Sequence, residues 1–219
     1  MVTLQLRQLR VPPGQRVLLE ELAWPEFEAI LAELGEHRGM RLAYSHGTLE
    51  IMTPLPDHEV SKELIGDAVK ILLDELGLDC ECFGSTTFKR EEMSAGIEPD
   101  NCFYLQNHAL MRGKQRLNLA VDPPPDLAIE IDITSKTQLA AYESLGVAEL
   151  WRYESNQLKI SVLTNGHYID MESLAFPNWP VSEAIARLVQ RSKTEGRSPA
   201  LREFRQWVRG QIISMRDDE

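Results

Sequence analysis

The stretch "PPPDLAIEIDITSKT", residues 123–137, constrains this chain most. Leu127, Ile129, Ile131 and Ile133 alternate with Asp126, Ala128, Glu130, Asp132 and Thr134. In a strand, residues two apart share a face. One face is therefore aliphatic and packs against helices, while the other carries three carboxylates. A carboxylate in apolar surroundings is unfavourable unless it is paired or binds a metal, and like charges in close register repel. The acidic face must meet water, basic groups or a cation. Hard divalent cations select carboxylate oxygens.

A second acid lies upstream. Asp100 follows Pro99 in "GIEPDNCFYL", which reads as one strand. If that strand pairs with 127–133, Asp100 and Glu130 converge on one ion. Lys136 stands just beyond, where an ammonium could orient an attacking water or stabilise a pentavalent phosphorane. Two acids, a cation and a lysine in this order describe metal-assisted phosphodiester hydrolysis.

The flanking sequence supplies the frame. In "AWPEFEAILAELG", Phe27, Ile30, Leu31 and Leu34 form a helical stripe that Gly35 stops. "MRLAYSHGTLEIMTP" reads as a hairpin turning at His46-Gly47. "PDHEVSKELIGDAVKILLDELG" is an amphipathic helix with Val60, Leu64, Ala68, Ile71, Leu72 and Leu76 inward, and an acidic first turn suited to the helix dipole. "LDCECFG" and "STTFKRE" read as short strands, and "QNHALMRGKQRLNLAVDPPP", 106–125, as a polar stretch with a loop. "TQLAAYESLG" is a short helix. "VAELWRYE", "LKISVLT" and "HYIDMES" are strands joined at Ser155-Asn156 and Asn165-Gly166. From 181 the chain is helical, with a break near Gly196–Pro199. This order predicts an α/β fold with a mixed β-sheet flanked by helices. The expected division is a domain over 1–180 and a C-terminal helical extension over 181–219.

Composition narrows the class. Hydrophobic residues are 43% and charged residues 26%, an ordinary globular balance. No apolar run suits a membrane span, and the N-terminus lacks the apolar core of a secretory signal. Three cysteines, Cys80, Cys82 and Cys102, without metal-finger spacing read as free thiols in a reducing cytoplasm. The net charge of −11 disfavours a chain-wide grip on nucleic acid, which needs positive charge to release counterions. Basic residues concentrate between Arg187 and Arg209, seven against two acids, as a packed tail or a partner surface.

"EPD" at 98–100, "DLAIEIDITSK" at 126–136, and then "YESLGVAELWRY" at 142–153 resemble the Uma-two endonuclease family of the PD-(D/E)XK nuclease superfamily. The resemblance covers roughly residues 20–175, and the tract from Pro125 to Tyr153 is its most specific part. It implies a restriction-endonuclease-like core, DNA as substrate, and Mg²⁺ or Mn²⁺ as cofactor. It implies Asp100, Glu130 and the Ile131 carbonyl as metal ligands and Lys136 as the catalytic lysine. The superfamily pattern places its lysine two residues after the glutamate; here that position is Asp132, which becomes an extra ligand. An acid on the first core helix also lines such sites, and Glu63 ranks first, before Glu59, with His58 just ahead.

Each residue has a plainer reading. Ser135-Lys136 can be an N-cap and an exposed first-turn residue. Asp126 reads as a strand-entry residue, His58 as an exposed helix start, Tyr142 as core, and Trp151 and Tyr153 as core or dimer packing. The expected function is a Mg²⁺-dependent endonuclease acting on DNA as a homodimer, with no membrane partner. The alternatives are a non-cleaving binding protein on the same fold and a hydrolase of small phosphorylated substrates.

Overall fold

Two sheets meet at the acidic strand. The computed structural model describes residues 6–35, 39–133 and 136–217. In chain order the first half comprises β1 (Arg16–Leu19), α1 (Trp24–Leu34), β2 (Arg41–Ser45), β3 (Thr48–Met52), α2 (Pro56–Leu76), β4 (Glu81–Cys82), β5 (Phe88–Arg90) and β6 (Ala95–Ile97). The second half comprises β7 (Asn101–Tyr104), α3 (His108–Met111), β8 (Leu127–Ile131), α4 (Leu139–Leu145), β9 (Glu149–Glu154), β10 (Gln157–Thr164), β11 (His167–Asp170), α5 (Val181–Glu195) and α6 (Arg197–Asp217).

The first sheet runs β1-β3-β2-β6-β5 and is antiparallel throughout. The second runs β11-β10-β9-β8-β7-β4, and its β8–β9 pair is parallel. A parallel pair needs a crossover, and α4 supplies it. The mixed sheet expected from the sequence is this second one. "GIEPDNCFYL" is not one strand: it divides into β6 and β7, in different sheets. Pro99 lies at the crossing, where its missing N–H leaves no ladder bond to lose.

The hairpins follow their turn chemistry. His46 and Gly47 both have positive φ, as do Ser155-Asn156 and Asn165-Gly166. Two successive left-handed residues match the right-handed twist of the flanking strands.

Helix α2 begins at Pro56, whose missing N–H is harmless in the first turn, and ends at left-handed Gly77. Its inward stripe differs from the expected one: Val60 is 52% exposed, while His58 and Ser61 are buried with Leu64, Ile65, Ala68 and Leu72. The aliphatic face of β8, with Trp151 and Tyr153 of β9, packs under α2, α5 and α6 in one core cluster. The opposite face packs Ala128, Cys102 and Leu150 against Tyr142 of α4 and Phe88, Ala95 and Ile97 of the first sheet. Thr134 and Ser135, expected on the acidic face and as a helix cap, lie outside the described residues.

The basic C-terminal helix is matched to α2. Arg205 and Arg209 hold Glu75 at 2.5 and 2.8 Å, and Arg197 pairs with Asp67. Along this face its charge meets acids of α2 in the same chain. Among the described residues no helix is long and apolar enough to cross a membrane.

Candidate active site

Strand register brings the two expected acids together. Asn101 pairs with Ile129 and Cys102 with Ala128, so Asp100, one step on, stands opposite Glu130. The Asp100 carboxylate is buried, and its Oδ2 accepts the Ile131 N–H at 2.8 Å and lies 3.0 Å from His58 Nε2. Arg41 Nη2, from β2 of the other sheet, lies 3.6 Å from Asp100 Oδ1 and 3.9 Å from Glu59 Oε1. Glu130 accepts a hydrogen bond from the Tyr142 hydroxyl.

The two acids respond oppositely to this setting. Burial pushes the Asp100 carboxyl up, but the His58 hydrogen bond and charge, the Arg41 guanidinium and the Ile131 N–H outweigh it and hold it below the ordinary carboxylate range. Burial, and then the charge on Asp100, push Glu130 well above that range despite the Tyr142 hydrogen bond. Burial also raises Asp132, against two bonds from Thr137. The second Asp132 oxygen is buried without a hydrogen-bond partner among the described residues.

Glu130, Ile131, Asp132, Arg41, His58 and Tyr142 line a pit of about 50 Å³, and Asp100 is buried behind it against His58 and the Ile131 N–H. Lys136 also lines it. Its side chain is 67% exposed, however, and its ammonium pairs with Glu154. The Ile131 carbonyl accepts the Ile133 N–H at 2.9 Å, leaving its second lone pair. Glu63 is not brought to the pit: its side chain is 63% exposed and lies 3.9 Å from Lys62 on the same helix. One turn earlier, His58 and Glu59 face the site instead. Asp126 serves the backbone, accepting the N–H groups of Leu105 and Gln106 at 2.7 and 3.0 Å.

Three members of the cluster were not read as site residues from the sequence. For His58 a signal existed: positions 58, 61, 65, 68 and 72 continue the buried stripe of α2 at spacings of three and four. Tyr142 is core, as its place on α4 suggests, yet its hydroxyl reaches Glu130. Arg41 carries no local signal, because the packing of one sheet on the other decides its position.

Among the described residues no three His, Cys, Asp or Glu side chains gather as a metal cage. Mg²⁺ does not require one: it keeps several waters and takes one or two carboxylates with substrate phosphate. Two apposed carboxylates and the partnerless Asp132 oxygen fit such an ion.

The family model described as "Putative restriction endonuclease", Uma2, matches residues 24–192. The chain belongs to the Uma2 family. That places it with nuclease-like proteins, and the match runs from the start of α1 into α5. A crystal structure from Anabaena variabilis ATCC 29413, titled a "putative nuclease belonging to DUF820", is similar at a TM-score of 0.50 and 12% identity. The match covers 74% of this chain and 92% of that one, and it supports the restriction-endonuclease-like fold. No curated protein matches.

Proposed function

We propose that this Uma2 protein is a metal-dependent endonuclease that hydrolyses DNA phosphodiester bonds. The observation that carries the reading is the apposition of Asp100 and Glu130 on neighbouring strands, with Glu130 lining a pit together with Asp132, His58 and Arg41. Asp100 and Glu130 would hold Mg²⁺ or Mn²⁺, with the free Asp132 oxygen and the Ile131 carbonyl available beside them. The ion, when bound, supplies charge for the developing phosphorane and lowers the pKa of water.

The chain's own residues do the rest. His58 and the Ile131 N–H fix the orientation of Asp100, and Tyr142 fixes Glu130. Lys136, at the rim, is in place to swing from Glu154 towards the attacking water. In hydrolysis the water oxygen bonds to phosphorus and the bond from phosphorus to the leaving sugar oxygen breaks. The attacking water gives up one proton, and the leaving oxygen takes one from solvent.

A non-cleaving binding protein is the second reading, favoured by the net charge of −11 and the pairing of Lys136 with Glu154. The free cysteines suit a cytoplasmic protein. Exposed Ile169, Met171 and Leu174, on and after edge strand β11, are where a homodimer would form. The deciding experiment is plasmid nicking with Mg²⁺, Mn²⁺ or chelator, comparing wild type with Glu130→Ala and Lys136→Ala. Metal-dependent nicking lost in Glu130→Ala supports the endonuclease; nicking that survives the substitution rejects the assignment.

A further inference from the structure

The pit opens beside a much larger cleft of about 770 Å³, and Arg41 and Glu98 line both. Such a volume suits a ligand of substantial size. Glu59, Thr87, Glu98, Gln115 and Arg116 form other parts of the cleft wall. Glu98 is engaged with the fold, accepting the Leu42 N–H at 3.2 Å and the Thr87 hydroxyl at 2.6 Å.

Arg41 is placed differently. Its side chain is only 17% exposed, so its guanidinium is held in a largely enclosed position. Its contacts to Asp100 and Glu59, at 3.6 and 3.9 Å, are both longer than a hydrogen bond. Asp100 does not depend on it for hydrogen bonding, because His58 and the Ile131 N–H supply donors. The guanidinium therefore keeps its fork of N–H donors unused among the described residues, at the junction of the acid pit and the cleft. That fork matches two oxygens of a phosphate. Lys136, by contrast, is engaged with Glu154.

We infer that Arg41 is the phosphate-binding residue of this site, taking the non-bridging oxygens of a nucleic-acid strand that enters through the adjoining cleft. The inference rests on the nuclease reading and adds to it the group that draws the phosphate onto the acid pair. It also explains how a chain of net charge −11 can hold a polyanion: the contact is local and bidentate. Arg116 on the cleft wall adds a second positive charge along the same path.

The test uses the full-length protein and a fluorescein-labelled DNA oligonucleotide, single-stranded and duplex. Cleavage is followed in Mg²⁺ and equilibrium binding in Ca²⁺, for wild type, Arg41→Ala and Arg41→Lys. Removing one donor aimed at developing charge lowers kcat about 100-fold or more. Arg41→Ala is expected to show that loss and to weaken oligonucleotide binding about tenfold, the size of one lost charge-assisted hydrogen bond. Arg41→Lys should recover part of both, since it keeps the charge and loses the fork. Mg²⁺ affinity, measured by calorimetry, should not fall in either variant. A folded Arg41→Ala or Arg41→Lys with wild-type cleavage and wild-type oligonucleotide binding overturns the inference. If Arg41→Ala fails to fold, Arg41→Lys decides alone. If wild type cleaves nothing, the nuclease reading fails, and Arg41 is still judged by whether its substitution weakens oligonucleotide binding.

Discussion

The acid pair at Asp100 and Glu130 and the clamp at Glu75 use the same kinds of residue to opposite ends. At the clamp, Arg205 and Arg209 grip one carboxylate with hydrogen bonds of 2.5 to 3.0 Å, and the carboxyl is held down to about 2. Opposite charges are fully engaged, and the outcome is attachment of α6 to α2. At the pit, two carboxylates face each other, one is driven upward by burial and its neighbour, and the nearest guanidinium stops short of hydrogen-bond length. Surface pairs with complete geometry are structural. A buried like-charged pair with incomplete partners is held by the surrounding fold, and such sites concentrate where chemistry is done.

The largest expected effect separates the two regions by function. Glu130→Gln should reduce metal-dependent cleavage by about a thousandfold or more, the scale lost when an essential electrostatic group is removed. The same variant should raise the melting temperature of the metal-free protein, because an amide neither needs a proton nor repels Asp100. A fall in both activity and melting temperature would break the contrast, since Glu130 would then be structural like Glu75.

His58→Leu comes next. It deprives buried Asp100 of its side-chain donor, and leaving a buried charged acceptor short of a partner costs about 3 kcal/mol. Urea unfolding measures it, and His58→Gln, which restores an amide donor, should regain part of the loss. Equal stability of the leucine and glutamine variants would show that the His58–Asp100 contact carries no weight.

A smaller loss is expected from Gly66→Ala. A Cβ at Gly66 would stand 2.5 Å from Asn101 Nδ2, beside Asp100. Relieving that overlap costs about 1–2 kcal/mol and tilts α2 from β7. Cleavage should fall with stability, because α2 carries His58 onto Asp100. Unaltered stability would mean that Asn101 swings aside freely.

The smallest effect is the pH dependence of the clamp. The folded Glu75 carboxyl lies at about 2, below its ordinary value of 4.5. A depressed carboxyl contributes stability above the ordinary value and loses it as pH falls towards the folded one. Between pH 4.5 and about 2, wild type should therefore lose a component of stability that Glu75→Gln lacks. Melting temperatures of the two proteins should converge on acidification, and parallel curves would show that the clamp contributes nothing.

Much of the frame was legible in the chain. The left-handed pairs at His46-Gly47 and Asn165-Gly166 marked their hairpins, and the alternation from Leu127 to Ile131 marked β8 with its buried and acidic faces. These readings succeeded because turn geometry and strand alternation are local. Reading 96–105 as one strand failed because Pro99 transfers the chain from one sheet to the other, a change that alternation alone does not register. Glu63 was preferred on α2 because it is acidic, but the helix turns it outward and turns His58 inward.

The sequence by itself determined that carboxylates would line one face of a strand and that the other face would be core. It also determined that position 132 holds an acid where the superfamily pattern has its lysine. Only the tertiary structure decided which cation meets those acids. Lys136 is near in sequence yet pairs with Glu154, whereas Arg41, eighty-nine positions before Glu130, is carried to Asp100 by the packing of β2. Periodicity specifies which face a residue occupies. The distance between charges on different sheets is set by packing.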